Sequence, residues 1–241
     1  MTTPSNKGAA CFVLAFMTVS PFATAAAGTG KVPRQPAWTP QTSSYASPAI
    51  WSGIYLGASA GYGWGDSEQG YDRNDNHGLA STSPEGVLAA LTAGYNYDAG
   101  GGIILGLEAD LGLMDLSAGD KVVYDGHIYK SQFGSWWGTL RGRAGYAFDN
   151  TMVYGTAGVA FMDVDDVSIG NTPGETATNM GTRTGWVLGA GVEQALTTNM
   201  SVKLEYLHMD FARHDGLSGN QEAFYFDDTV DLVRAGVNFK Y

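Results

Sequence analysis

The chain has 241 residues, of which 15% are charged and 34 are glycine, and its formal net charge is −11. The charged fraction lies well below the roughly 25% of an average soluble domain, which argues against a soluble helical enzyme. The sequence also lacks a run of about 20 apolar residues, so it does not encode a helical membrane protein. The acidic balance argues against nucleic acid as a partner, because phosphate binding requires a basic surface.

The N-terminus has the layout of a secretory signal peptide. A lysine precedes an apolar run over residues 9–19, and small residues follow, with cleavage after Ala25 or Ala27 both compatible with the pattern. The one cysteine, Cys11, lies inside the apolar run, so the mature chain would contain neither a thiol nor a disulfide. We therefore expect residues 1–27 to be a signal peptide that is removed on export.

The composition changes twice after the predicted signal peptide. Residues 28–50 are rich in Pro, Ser and Thr and offer little apolar surface to bury, which predicts a periplasmic tail or linker. From Trp51 onward, alternation of apolar and polar residues with a period of two dominates, and this pattern is typical of β-strands. Residues 51–241 are therefore predicted to form one β domain.

Eight strands are predicted in this domain, at about 53–65, 86–97, 103–113, 135–148, 152–164, 182–194, 200–211 and 229–241. Their connections alternate between tight turns (98–102, 149–151 and 195–199) and long acidic loops (66–85, 114–134, 165–181 and 212–228). A periplasmic β-sandwich would give the same alternation within strands. Short turns at one end and long loops at the other favour an all-β, eight-stranded, antiparallel up-and-down transmembrane β-barrel.

Charged residues recur in mid-strand on the polar faces. Leu105, Leu107 and Leu111 share one face of the third strand, whereas Glu108 and Asp110 share the other. Eight such charges are predicted to point into a narrow polar lumen and to pair there: Glu108, Asp110, Arg141, Arg143, Glu193, Lys203, Glu205 and Arg234.

Aromatic residues gather near the two ends of the predicted strands. Two girdles of aromatic side chains at the membrane–water interfaces are typical of a transmembrane barrel. The predicted girdle residues are Trp51, Trp64, Tyr97, Trp136, Trp137, Phe148 and Trp186.

Five segments carry a family resemblance: WSGIYLGASAGYGWG at 51–65, GYAFDNTMVYGTAGVAF at 145–161, GWVLGAGVEQAL at 185–196, KLEYLHMDF at 203–211 and VRAGVNFKY at 233–241. In this order they resemble the small outer-membrane β-barrel proteins of Gram-negative bacteria, the opacity-type or porin-family surface proteins. The resemblance implies an outer-membrane location and insertion by the barrel-assembly machinery. It also implies that Val237, Phe239 and Tyr241 form the C-terminal assembly signal which that machinery recognises.

Motifs for catalysis or metal binding are weak. Residues 57–61 match G-x-S-x-G, but they lie within a strand rather than at a strand–helix turn. The acidic segment 72–78 lacks the spacing of a calcium loop. His77, His127 and His214 fall in predicted loops without ligand spacing, and the sequence offers His208 no evident acidic partner. We expect neither an enzyme nor a cofactor, and no metal site.

Three functions remain open. The first is a structural, surface-exposed barrel whose lumen is filled by paired charges, and the second is a narrow porin for small solutes. The third is an adhesin or haem-binding protein that binds a host or surface ligand at its acidic loops. Eight strands favour the first over the second, because water-filled channels belong to barrels of about 16–18 strands. We further expect contact with outer-membrane lipids and with lipopolysaccharide, bridged to the acidic loops by divalent cations.

Overall fold

The computed structural model describes residues 50–71, 80–119, 121–122, 128–169, 176–218, 221 and 223–241. The predicted signal peptide and all of the predicted tail except Ile50 lie outside these ranges. The described residues contain no helix that is long and apolar enough to cross a membrane. They form ten strands: β1 (Gly53–Tyr71), β2 (Ala80–Thr82), β3 (Glu85–Gly100), β4 (Ile103–Ser117), β5 (Lys121–Val122), β6 (Ile128–Phe148), β7 (Thr151–Ile169), β8 (Thr176–Ala195), β9 (Met200–Leu217) and β10 (Ala223–Lys240).

The eight long strands close into a ring. Each long strand pairs antiparallel with the next long strand along the chain, and β10 returns to pair with β1. The closing register runs from Tyr55 opposite Lys240 to Tyr71 opposite Phe224. The short strands β2 and β5 add to β1 and β6 at one end. The predicted eight-stranded up-and-down barrel is thus confirmed, and closure leaves no unpaired sheet edge in lipid.

The strands are longer than the sequence pattern predicted. They contain 15 to 21 residues, whereas about 9–11 suffice to cross a bilayer at the usual tilt of a barrel. The additional residues come mostly from the segments predicted as long loops, so the predicted boundaries of those loops were wrong. We call the two ends of the barrel the short-turn end and the long-loop end. At the long-loop end, the paired strands continue beyond the lipid-facing band.

Side chains alternate between the two sides of the wall, except at β-bulges such as the one in β9 between Phe211 and His214. On β4, Leu105, Leu107 and Leu111 are exposed on the outside, whereas Glu108 and Asp110 are buried inside. The other long strands follow the same rule, and their exposed Leu, Val, Tyr and Trp side chains form an apolar band around the barrel. An apolar exterior and a buried polar interior are what a barrel wall in lipid requires.

The interior is layered along the barrel axis, as β10 shows. Its inward residue Arg234 is followed toward the long-loop end by Leu232 and Val230, then by Asp228 and Phe226. Leu232 and Val230 belong to a buried hydrophobic cluster with members from seven of the eight long strands: Leu88, Ala90, Met114, Leu116, Phe133, Trp137, Ala160, Met162, Val164, Val187, Leu207, Met209, Phe211, Val230 and Leu232. We call this cluster the apolar layer. It places a hydrophobic core inside a barrel whose lumen was expected to be polar.

Truncating a side chain of the apolar layer should destabilise the barrel more than truncating its neighbour on the lipid side. Leu207 is 0% exposed in the apolar layer, whereas Leu204 on the same strand is 55% exposed on the outer face. Leu207→Ala should cost about 2–5 kcal/mol by leaving a cavity, and lipid should fill the space left by Leu204→Ala. Heat-dependent gel mobility of the two variants measures the difference. Equal midpoint temperatures of the mobility shift in the two variants would show that the apolar layer does not stabilise the barrel.

Candidate functional site: the barrel interior

The eight sequence-predicted lumen charges all lie inside the barrel, and each is buried. They are Glu108 and Asp110 on β4, Arg141 and Arg143 on β6, Glu193 on β8, Lys203 and Glu205 on β9, and Arg234 on β10. We call this set the lumen network. Its four cations and four anions balance, so the layer can be buried without net charge.

Two guanidinium groups share the acidic centre of the lumen network. Arg141 donates from Nη2 to Asp110 Oδ2 at 2.7 Å and from Nη1 to Glu205 Oε1 at 3.1 Å, and it also pairs with Glu108. From the opposite side of the barrel, Arg234 Nη2 reaches the same Asp110 oxygen at 2.9 Å, and its Nε donates to Glu205 Oε2 at 2.7 Å. Each arginine therefore links strands that are not neighbours in the sheet.

The remaining charges extend the lumen network toward the short-turn end. Lys203 Nζ lies 3.1 Å from both carboxylate oxygens of Glu108. Arg143 pairs with Glu193, and its guanidinium lies 3.7 Å from the ring centroid of Tyr154. Among the described residues, the ion pairs thus connect β4, β6, β8, β9 and β10 within one layer.

Hydroxyl groups that the sequence analysis did not single out complete the lumen network. Tyr55 OH donates to Glu108 at 2.7 Å, Tyr154 OH donates to Glu205 at 3.0 Å, and Thr92 Oγ1 donates to Asp110 at 2.7 Å. These residues bring β1, β3 and β7 into the same layer. The tyrosine rings fit because a Cβ at Gly94 would overlap Tyr55, and one at Gly191 would overlap Tyr154. The signal for these residues was their position on the inward face of each strand.

Five of the seven residues predicted for the aromatic girdles lie on the outer surface of the barrel. Trp64, Tyr97, Phe148 and Trp186 are exposed on the outer surface, and Trp136 is partly exposed there.

Two of the predicted girdle residues do not face lipid. Trp137 is fully buried in the apolar layer, because adjacent residues in a strand point to opposite sides and Trp136 takes the outward position. Trp51 precedes β1 and is buried at the short-turn end, where it packs in a cluster with Ile104, Met152 and Tyr154.

Two histidines have surroundings that the sequence did not reveal. His208 lies on the outer face, and its Nδ1 is 2.8 Å from Asp231 Oδ1, so the expectation that it lacks an acidic partner was wrong. The partner was hidden because it lies on the neighbouring strand β10. His214 was expected in a loop but belongs to β9, where its Nδ1 is 3.1 Å from Arg183 Nη1. His77, His127 and the acidic segment 72–78 lie outside the described residues.

A second buried polar layer lies beyond the apolar layer, toward the long-loop end. Ser67 Oγ is 2.5 Å from both Tyr129 OH and Asp228 Oδ1. The side-chain amide of Asn179 donates from Nδ2 to Asp228 Oδ2 at 3.2 Å and to Asp166 Oδ2 at 3.0 Å. We call these five residues the outer polar cluster. No pattern in the sequence pointed to it, because its members come from five strands and register decides that they meet.

The outer polar cluster lies outside the membrane-spanning part of the barrel, since it is farther along the strands than the exposed Trp64 and Trp186. Burial raises the pKa of Asp166 from the ordinary 3.8 to about 9, and the nearby carboxylate of Asp228 contributes to the rise. Burial likewise raises the pKa of Asp228, to about 6. Both carboxyl groups therefore hold a proton more tightly in the folded barrel than in an unfolded chain.

A closed ring of strands with an apolar exterior and a packed, charge-paired interior defines a transmembrane β-barrel. Comparison with known proteins agrees. The profile of the family described as an outer membrane protein β-barrel domain matches residues 9–240. The chain therefore belongs to the outer-membrane β-barrel family, and it is an outer-membrane protein in contact with membrane lipids and lipopolysaccharide. This confirms the resemblance seen in the sequence.

Two relatives by sequence point to the same family. A 31 kDa outer-membrane immunogenic protein of Brucella melitensis biotype 1 is 30% identical over 235 residues, which cover 91% of this chain and 95% of the relative. A 22 kDa outer membrane protein of Rhizobium leguminosarum bv. viciae is 35% identical over 196 residues, which cover 79% of this chain and 78% of the relative. The crystal structure of the outer membrane protein OprG from Pseudomonas aeruginosa gives a TM-score of 0.47 at 12% identity, covering 79% of this chain and 98% of that one.

The raised pKa values predict that the barrel loses stability as pH rises. Because the folded state binds protons at Asp166 and Asp228 that the unfolded chain has released, the free energy of unfolding should fall between about pH 4 and pH 9. In a chelating buffer, Asp166→Asn should flatten this decline. Asp165→Asn, on the exposed outer face of the same strand, should flatten it far less, because the charge of Asp165 is a smaller cause of the raised pKa than burial. Denaturant unfolding at a series of pH values measures the slope. An unchanged slope in Asp166→Asn would refute this assignment.

Proposed function

We propose that the protein is a plugged barrel with a structural and surface-presenting role in the outer membrane, rather than a solute channel. The observation that carries this proposal is the stacking of two closed layers in the lumen. The lumen network occupies one level, and the apolar layer fills the next. In a barrel of eight strands the interior is just wide enough for side chains to fill it.

The plug also gives the barrel a mechanical role. The ion pairs of the lumen network join strands across the interior, so they hold the wall together from inside while lipid surrounds it outside. A solute would have to displace several buried ion pairs and also pass the apolar layer. Removing one partner of such a pair leaves an uncompensated buried charge and costs about 3–5 kcal/mol.

The two ends of the barrel would have different partners. Short turns usually face the periplasm and long loops the outside, so the long-loop end would be presented at the cell surface. The Brucella relative is named an outer-membrane immunogenic protein, and we propose that the long-loop end of this chain is exposed at the cell surface. Divalent cations would bridge the acidic loops of this end to lipopolysaccharide.

Assembly would depend on the C-terminal strand. Phe239 and Tyr241 are exposed on the outer face, and Val237 is partly exposed on that face. An alternating apolar C-terminus of this kind can be read by the barrel-assembly machinery before the ring closes. We propose that these three residues form its recognition signal.

Planar-bilayer conductance tests the plugged lumen. The chain, extracted in detergent and shown to be folded by heat-dependent gel mobility, should give no reproducible ohmic steps if the two layers plug the lumen as proposed. The same conductance is compared between two variants. Trp137→Ala truncates a side chain of the apolar layer, and Trp186→Ala truncates a side chain that faces lipid. A stable ohmic pore formed by the unaltered chain would overturn the proposal and assign the protein to the porins.

A further inference from the structure

The outer polar cluster contains two buried carboxylates that share one weak neutral partner. Asp166 is 0% exposed and Asp228 is 3% exposed. A single nitrogen, Asn179 Nδ2, bonds to both carboxylates, which places the two groups close together. Two like charges at such a separation in a low-dielectric interior repel each other strongly. An amide nitrogen cannot neutralise them.

Among the described residues, no cation pairs directly with these two carboxylates to neutralise their negative charge. Arg183 acts on both carboxylates electrostatically, but its Nη1 lies 3.1 Å from His214 Nδ1 and its Nε is buried without a hydrogen-bond partner. Asp165 and Asp227 add further negative charge from the outer face of the same strands. The lumen network, by contrast, pairs each of its carboxylates with a cation. The outer polar cluster is therefore built differently from the layer that stabilises the lumen.

Unpartnered oxygen atoms lie in and beside the same cluster. Asp166 Oδ1 and Asn179 Oδ1 are buried without a hydrogen-bond donor. Gln69 Oε1 is also buried without one, and Gln69 is the next inward residue after Ser67 on β1. Buried acceptors left without a donor are rare in folded proteins, and they are often explained by a missing ion or water. All of these hydrogen-bond acceptors are oxygen atoms of the kind that bind hard cations as ligands.

We propose that the outer polar cluster is a binding site for one calcium-like divalent cation, held between Asp166 and Asp228. Rotating the Asn179 amide by half a turn would exchange its nitrogen for its oxygen, and the orientation of an amide is set by its surroundings. The cation would then lie between this oxygen and the two carboxylates. Ser67 Oγ, which already bonds to Asp228, would supply a further oxygen.

The donor set favours calcium over other divalent metals. Calcium takes six to eight oxygen ligands at about 2.3–2.6 Å in flexible geometry, whereas magnesium demands an octahedron and retains several waters. Zinc and copper prefer nitrogen and sulfur donors, and the outer polar cluster offers only oxygens besides the amide nitrogen. Two carboxylates supply the charge that balances a divalent ion.

A cation at this position would tie together the part of the barrel that projects beyond the lipid. The proposed ligands Ser67, Asp166, Asn179 and Asp228 come from β1, β7, β8 and β10 respectively. They lie past the apolar layer, together with a smaller buried cluster formed by Tyr129, Ala177, Phe224 and Phe226. The bound cation would therefore hold the long-loop end closed, as the lumen network holds the membrane-spanning part.

Calcium-dependent unfolding tests this site directly. The full chain, extracted in detergent and treated with chelator at pH 7.5, is heated with and without ~1 mM calcium chloride. This concentration is roughly the upper end of the dissociation constants of extracellular calcium sites. The midpoint of the mobility shift should rise by about 4 °C or more in calcium, because a ligand that binds only the folded state stabilises it. Calorimetric titration with calcium chloride should give a stoichiometry of one.

Matched variants separate this site from the acidic surface. Asp166→Asn and Asp228→Asn should each abolish the calcium shift. Their outward-facing neighbours provide the controls, so Asp165→Asn and Asp227→Asn should retain it. If calcium has no effect on the unaltered chain while acidification stabilises it, the two carboxylates share a proton and the cation site is refuted. A calcium shift that persists in both inward variants would equally refute it.

Discussion

The fold depends on a balanced set of buried charges inside a closed wall. Each guanidinium of the lumen network reaches carboxylates on distant strands, as Arg234 does with Asp110 across the barrel at 2.9 Å. In a low-dielectric interior an unpaired charge is far more costly than a paired one. An arrangement of the strands in which all eight charges find partners is therefore strongly favoured.

The same charges fix the register of the wall. Because side chains alternate with a period of two, a slip of one residue would carry Glu108 or Arg141 to the lipid side and Leu107 or Leu140 into the lumen. A charge facing lipid is strongly unfavourable. The lipid on the outer face and the ion pairs on the inner face thus favour the same register of strand pairing.

Much of this arrangement could be predicted from the sequence. Alternation on β4 and β10 assigned Glu108, Asp110 and Arg234 to one face, and the short turns and long connections predicted closure into a barrel. The apolar layer could not be predicted in this way. On β9, Leu207 and Met209 share the inward face with Glu205, whereas His208 and Asp210 lie on the outer face. The apolar side of the alternation therefore changes from the outer to the inner face within this strand.

The ends of the strands, and the side chains that pair across different strands, could not be predicted from the sequence pattern either. In the last part of β1, Asp66 and Glu68 point outward while Ser67 and Gln69 point inward, so both faces are polar and the segment resembles a loop. The pair formed by Asp166 and Asp228, like that of His208 and Asp231, depends on register and on barrel closure. A single sequence does not contain that information.

A double-mutant cycle on Arg143 and Glu193 tests most directly whether buried charge pairing holds the barrel together. Both side chains are almost fully buried and pair with each other. The account predicts that Arg143→Met and Glu193→Gln each lower the free energy of unfolding by about 3–5 kcal/mol. The double variant should lose much less than the sum of the two, with a coupling energy of about 1–3 kcal/mol. Losses that add to within about 0.5 kcal/mol would contradict the account, because they would show that the two charges do not depend on each other.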